Sequence, residues 1–213
     1  MQHLTREQSI ELEKASEKES GITGEILMRN AGREIKQVAL TMVRENSNPK
    51  IFIICGKGNN GGDGFAAAIE LFKENIFVSI HYIGLWEEVN GVSKTFYDRC
   101  IKLKISISYG LPILYLKKPD LIIDALFGTG LNRSIDGDIA QLIDWINLSN
   151  TKVLSIDIPS GLDSNNGYVL SKSVKADTTL TMGAPKIGMN IGSGAKYSGN
   201  IIIADIGFPK ESL

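Results

Sequence analysis

The chain has 213 residues, 43% of them apolar, and a formal net charge of −1, enough for one sizeable core and too balanced for a broad nucleic-acid or membrane surface. No apolar run reaches the length of a transmembrane helix or a secretion signal's core, and the opening Met1-Gln-His-Leu-Thr5 is polar, so the cytoplasm is the expected compartment. Cys55 and Cys100 form no CxxC and read as small buried hydrophobes, and neither His3 nor His81 has a second histidine at metal-ligand spacing, which argues against a zinc enzyme or a Ser-His-Asp triad.

In chain order, Thr5-Arg-Glu-Gln8 has the form of a capping box and predicts a helix through about Glu19, ended by Gly21. A second helix follows, with Ile26, Leu27, Met28, Ala31, Ile35, Val38, Ala39, Met42 and Val43 on one broad face before Asn48-Pro49. These two form an N-terminal helical addition that covers one face of a sheet. Ile51-Phe-Ile-Ile-Cys55 is a buried strand, Gly56–Gly64 a glycine-rich turn, and the next helix is expected from Gly64 to about Asn75. Strands at Ile76–Tyr82, Ile105–Ser108, Leu121–Asp124 and Val153–Asp157 alternate with helices near Glu87–Lys102 and Asp138–Asn147, with a break at Gly110-Leu-Pro112. Ala176–Met182 and Asn200–Ala204 read as further strands with no full helix in the glycine-rich stretch between them. The alternation predicts an α/β fold, a three-layer α/β/α, Rossmann-like, doubly wound and mostly parallel sheet, as one domain over 1–213.

Five of the nine residues in Gly56–Gly64 are glycine, a composition that lets backbone N–H groups approach an anion beside a helix N-terminus. The GxxxxGK[ST] phosphate loop is excluded, because no Lys-Ser or Lys-Thr follows the glycines. Gly56, Gly58 and Gly61 satisfy GxGxxG, but the strand Ile76–Tyr82 ends without the carboxylate that a dinucleotide fold places roughly 20 residues on. The polar residues inside the turn are unusual for a pure anion cradle. Asp63 either caps the helix or meets a cation, and Asn59 and Asn60 either stabilise the turn or bind.

Three predicted strands end in aspartate, at Asp124, Asp157 and Asp205. In an open parallel sheet those ends share one edge with the Gly56–Asp63 turn and with the second glycine-rich turn, Gly128–Ser134. Asp205 reads as a structural cap. Asp124 and Asp157, each followed by a glycine-containing turn, read as site residues, with Arg133, Lys186 or a metal cation as countercharge. Asn60, Asp124 and Ser160 offer oxygens suited to a hard cation. Backbone hydrogen bonds to a charged phosphate contribute roughly 1.5–3 kcal/mol each, and micromolar binding needs about 8 kcal/mol net of association costs. A whole nucleotide is therefore a better occupant than free phosphate.

These stretches resemble the YjeF N-terminal family, the NAD(P)HX epimerases. Cys55–Gly64 is similar to its signature loop, and the likeness continues through Asp124–Leu131, Ser155–Asp163, Ala176–Lys186 and Gly21–Gly32. The resemblance implies an isomerase that interconverts the R and S forms of hydrated NADH or NADPH for a separate dehydratase, in nicotinamide nucleotide repair. It implies substrate contacts from Asn59, Asn60, Gly61, Gly62, Asp63, from Gly128, Thr129, Gly130, Leu131, Asn132, Arg133 and Ser134, and from Asp157. It also implies one potassium ion per subunit on Asn60, Asp124 and Ser160. A homodimer is the expected assembly, and the dehydratase is expected on another chain. Asp157 is the expected acid/base residue, with Lys186 giving electrostatic help. A carboxylate in a partly closed cleft is expected to shift toward neutrality. Arg29 stands where the family often has an acidic residue, at the dimer contact or the cleft rim. The competing reading is a non-catalytic nucleotide- or RNA-binding and dimerisation module of the same fold, which would be expected to lose the cation and acid/base residues that this chain keeps.

Overall fold

The computed structural model describes residues 2–110 and 118–209; the Leu111-Pro112 part of the expected break lies outside them. Two helices come first, α1 (Arg6–Ser20) and α2 (Gly24–Met42). The capping box of α1 is reciprocal: Gln8 N–H donates to Thr5 Oγ1 at 3.1 Å, and Thr5 N–H to Gln8 Oε1 at 2.8 Å. Thr23 caps α2, accepting from Ile26 N–H. Leu27, Met28, Ala31, Ile35 and Ala39 are the buried stripe of α2 at helical spacing, and burying each large aliphatic side chain stabilises by about 1.5–3 kcal/mol.

Seven strands follow, β1 (Lys50–Cys55), β2 (Phe77–Tyr82), β3 (Ser106–Tyr109), β4 (Leu121–Ala125), β5 (Lys152–Ile156), β6 (Thr178–Met182) and β7 (Asn200–Ala204). They form one sheet in the order β3-β2-β1-β4-β5-β6-β7, and every pairing is parallel, so the expected mostly parallel sheet is wholly parallel among the described residues. Between the strands run α3 (Asn59–Lys73), α4 (Gly91–Lys102), α5 (Gly137–Leu148) and the short α6 (Gly194–Ser198). Short 3₁₀ turns at Trp86–Glu88 and Ile187–Met189 complete the connections. The period of two along β1 divides the core: Ile51, Ile53 and Cys55 pack toward the layer of α2 and α3, while Phe52 and Ile54 join Leu142, Ile143 and Ile146 of α5. No helix among the described residues is long and apolar enough to cross a membrane.

The helix after β1 starts earlier than its sequence suggests. Gly61, Gly62 and Gly64 lie within α3, so the glycine run is mostly helix and only its first residues are turn. Their smallness serves close packing: a Cβ at Gly61 would stand 1.9 Å from the Gly56 carbonyl oxygen, and one at Gly64 2.7 Å from Cys55 Sγ. Asp63 is therefore no helix cap, since Gly58 holds the N-cap position and Asp63 is one turn inside. Strand order reverses between β1 and β4, and the crevice for a ligand in such a sheet opens outside the carboxyl ends at that point.

Candidate active site

A cleft of about 600 Å³ opens at that reversal, within the range of roughly 300–1,000 Å³ usual for ligand sites. One wall is Gly58, Asn59, Asn60 and Asp63 from the start of α3, and the facing wall is Leu126–Arg133 after β4. The first N–H groups of α3 have no intrahelical acceptor and form the positive end of the helix dipole, as anion sites require. A Cβ at Gly58 would meet nothing within 4 Å, which leaves that backbone open to a ligand.

Asp157 and Lys186 form the floor. The Lys186 ammonium is 2% exposed and pairs with Asp157 Oδ1, while it also donates to Thr181 Oγ1 at 2.9 Å and to the Met182 carbonyl at 3.2 Å. The other oxygen, Asp157 Oδ2, accepts from Thr129 N–H at 2.9 Å. A Cβ on Gly128 would come within 2.8 Å of that oxygen, so only glycine lets the loop lie against the carboxylate. Asp157 has φ +68°, a left-handed conformation that Asp tolerates better than most residues. The chain bends there out of β5, with Ile158 N–H reaching back to the Ile156 carbonyl. Burial pushes the Asp157 pKa up, but the Lys186 charge and the hydrogen bonds from Lys186 and Thr129 outweigh it and hold the carboxyl below its usual range. The expected drift of this carboxylate toward neutrality is thus reversed.

The raised carboxyls are others. Burial first, then the charges of Glu13 and Asp157, push Asp63 well up. Glu13, exposed on α1 at the cleft, is raised by partial desolvation against the cleft wall and by Asp157, with Lys186 and the Asn59 side chain pulling the other way. Asp124 is raised by burial against opposing hydrogen bonds from Ser160, Ser155 and Leu126.

Asp124 and Ser160 do not line the open cleft; both are fully buried beneath it. Asp124 accepts from Ser155 Oγ at 2.8 Å, Ser160 N–H at 3.0 Å and Ser160 Oγ at 2.6 Å, and Ser155 is its neighbour in register across β4 and β5. Asn60 is buried, and neither its amide nitrogen nor its oxygen has a hydrogen-bond partner. Leaving each such atom unmatched costs about 1–3 kcal/mol, which fits an oxygen held ready for a cation. Among the described residues no group of three His, Cys, Asp or Glu side chains is placed to hold a metal. One carboxylate with amide and hydroxyl oxygens matches a weakly charged hard cation better than zinc or another transition metal.

Of the other expected contacts, Gly128–Arg133 all line the cleft, while Ser134, Gly61 and Gly62 do not. A Cβ on Gly62 would meet Met28 Sδ at 2.7 Å on the flank of α3. Asp205 serves locally, accepting from Gly207 N–H at 3.0 Å, with no helix after it among the described residues. Arg29 lies in a separate groove with Phe96 and Arg99, away from the cleft rim. Cys55 and Cys100 are fully buried, and burial pushes both thiols up, Cys100 to about 12. Sequence reasoning missed Glu13, Leu12, Leu27, Met28 and Phe208 as cleft residues. For Glu13 the available signal is helical spacing: Ser9, Leu12 and Ser16 are the inward stripe of α1, and position 13 borders it.

Fold and cleft together define a Rossmann-like α/β protein with a buried carboxylate–ammonium pair at the strand ends and the start of a helix beside it. The family model described as YjeF-related protein N-terminus matches residues 24–188, and the chain belongs to that family. It is 36% identical over 191 residues to the NAD(P)H-hydrate epimerase of Oenococcus oeni, covering 88% of each chain. It is also 34% identical to the bifunctional NAD(P)H-hydrate repair enzyme Nnr of Thermofilum pendens, matching 95% of this chain and 39% of that longer protein. Among solved structures, the crystal structure of yeast ynu0, YNL200c, superposes with a TM-score of 0.85 at 20% identity, covering 100% of this chain and 92% of that one, and so shares the fold.

Proposed function

We infer that the protein is an NAD(P)H-hydrate epimerase, an isomerase that interconverts the R and S forms of hydrated NADH and NADPH. The observation that carries this is the Asp157–Lys186 pair, held at the floor of a cleft between the start of α3 and the loop after β4. The near full-length likeness to a relative of that name supports it.

The diphosphate of the substrate would lie on the N–H groups at the start of α3 and beside Arg133. The hydrated ring would then lie toward Asp157. The hydroxyl-bearing carbon is bonded to the ring nitrogen, so its configuration is lost either when water leaves or when the carbon–nitrogen bond opens. Either route needs one proton given and one taken. Asp157, kept ionised by Lys186 and Thr129, is the group that takes a proton. Lys186, buried and paired, orients that carboxylate and balances its charge.

Asn60, Asp124 and Ser160 would hold one potassium ion, and the buried Asn60 oxygen without a partner supports this. Such an ion supplies positive charge beside the buried Asp124 carboxylate. The bifunctional relatives support a functional link with a dehydratase.

The test couples the protein to a dehydratase that accepts only the S form. A mixture of epimers is predicted to be consumed completely and rapidly when this protein is present. Consumption that stops at the S fraction and then proceeds at the spontaneous rate contradicts the assignment.

A further inference from the structure

We propose that Glu13 is the second proton-transfer group of this site, an acid that works from the wall of α1 while the Asp157 carboxylate works from the end of the sheet. The role rests on the epimerase reading and adds a residue from outside the span 24–188 that matches the family model.

Geometry carries it. The segment before α1 is tied to the site itself: Leu4 N–H donates to the Pro185 carbonyl at 2.8 Å, and Ile187 N–H donates to the Leu4 carbonyl at 3.0 Å, on either side of Lys186. Arg6 reaches the opposite loop, where its Nη2 donates to the Gly130 carbonyl at 3.0 Å. These ties hold α1 over the cleft, and Ser9, Ile10, Leu12, Glu13 and Lys14 line it. Among the described residues, Glu13 is the only carboxylate that α1 contributes there. Glu13 is exposed at the cleft and can exchange protons with solvent.

The charged groups around it are Asp63 on α3, Asp157 after β5, Lys186 after β6, Arg133 after β4 and Lys14 beside it on α1, with the Asn59 amide facing it. Lys186 is committed to Asp157, which leaves Glu13 and Asp63 to share the excess negative charge. Two carboxyls whose surroundings push them in opposite directions divide the work between acid and base.

In the water-loss route, the Glu13 acid gives its proton to the departing hydroxyl. The carbon–oxygen bond breaks as the ring-nitrogen lone pair forms a carbon–nitrogen double bond. Water then attacks the other face, its oxygen bonds to the carbon, the electron pair returns to nitrogen, and Asp157 takes the proton released. Passage of that proton from Asp157 back to Glu13 through solvent resets the site, with no net change in atoms or electrons. The reverse epimerisation uses the same steps backwards.

The experiment measures steady-state interconversion of the epimers across pH for the wild type, Glu13→Gln and Glu13→Asp, after subtracting the spontaneous rate. Glu13→Gln is expected to lower kcat by roughly 10²–10⁴-fold with KM within about threefold. It should also remove the fall in kcat that the wild type shows as pH rises through the Glu13 pKa. Glu13→Asp is expected to restore part of kcat and that alkaline limb. A Glu13→Gln enzyme that keeps wild-type kcat and alkaline limb, or that changes only KM, overturns the role. A wild type that does not speed interconversion overturns the epimerase reading itself, and this role with it.

Discussion

Lys186, 2% exposed, spends its charge on Asp157, a residue held in a left-handed backbone conformation at the end of β5. Removing one partner of such a buried pair leaves the other without compensation, at a cost of about 3–5 kcal/mol. Lys186→Met is therefore expected to lower the unfolding free energy markedly near neutral pH.

The pH dependence of that loss has a defined sign. The folded Asp157 pKa lies below its unfolded value of about 3.9, so its contribution is present above that value and is lost as pH falls through the folded pKa. Denaturant titrations should show the gap between wild type and Lys186→Met largest near pH 7 and shrinking below about pH 4. A gap that is constant with pH contradicts the pairing.

Asp63 behaves oppositely. Its folded pKa is raised by burial and by the Glu13 and Asp157 charges, so its contribution is fully present below the unfolded pKa of about 3.9 and is lost as pH rises through the folded value. Asp63→Asn avoids that loss. Its melting temperature is expected to match the wild type near pH 4 and to exceed it increasingly toward pH 8. A variant that is less stable than the wild type at pH 8 contradicts the placement of Asp63 among these carboxyls.

Asn60→Ala tests the proposed cation. Because both amide atoms lack protein partners, the substitution is expected to leave the melting temperature in potassium-free buffer unchanged or raised. Potassium should then stabilise the wild type by mass action and leave the variant unaffected. An equal rise in both proteins places the ion elsewhere.

Much of this was readable from the chain. The seven expected strands are all present, because apolar runs in a buried parallel sheet are nearly continuous and end in recognisable turns. Asp157 and Gly128–Arg133 were placed in one cleft by strand-end reasoning, with Asp124 buried beneath it. Asp63 was ambiguous because its role depends on where α3 begins, and the N-cap position is held by Gly58, which has no side chain to mark it. The downward shift of Asp157 was hidden because Lys186 was one of several candidate countercharges, and only the fold shows that it pairs directly with this carboxylate. Glu13 was hidden because long-range ties, the bridge between Leu4 and Lys186 and the hydrogen bond from Arg6 to Gly130, bring α1 to the site.

The most direct measurement starts from one purified epimer of NADHX with potassium present and follows R and S by chromatography, with the wild type and with Asp157→Asn. Asn accepts the left-handed backbone of position 157, so the variant should fold and bind nucleotide. The wild type is expected to equilibrate the epimers far faster than the spontaneous reaction, and Asp157→Asn to lose roughly 10²–10⁴-fold of that rate. Equilibration no faster than the spontaneous rate with the wild type, or an unchanged rate in Asp157→Asn, contradicts the account.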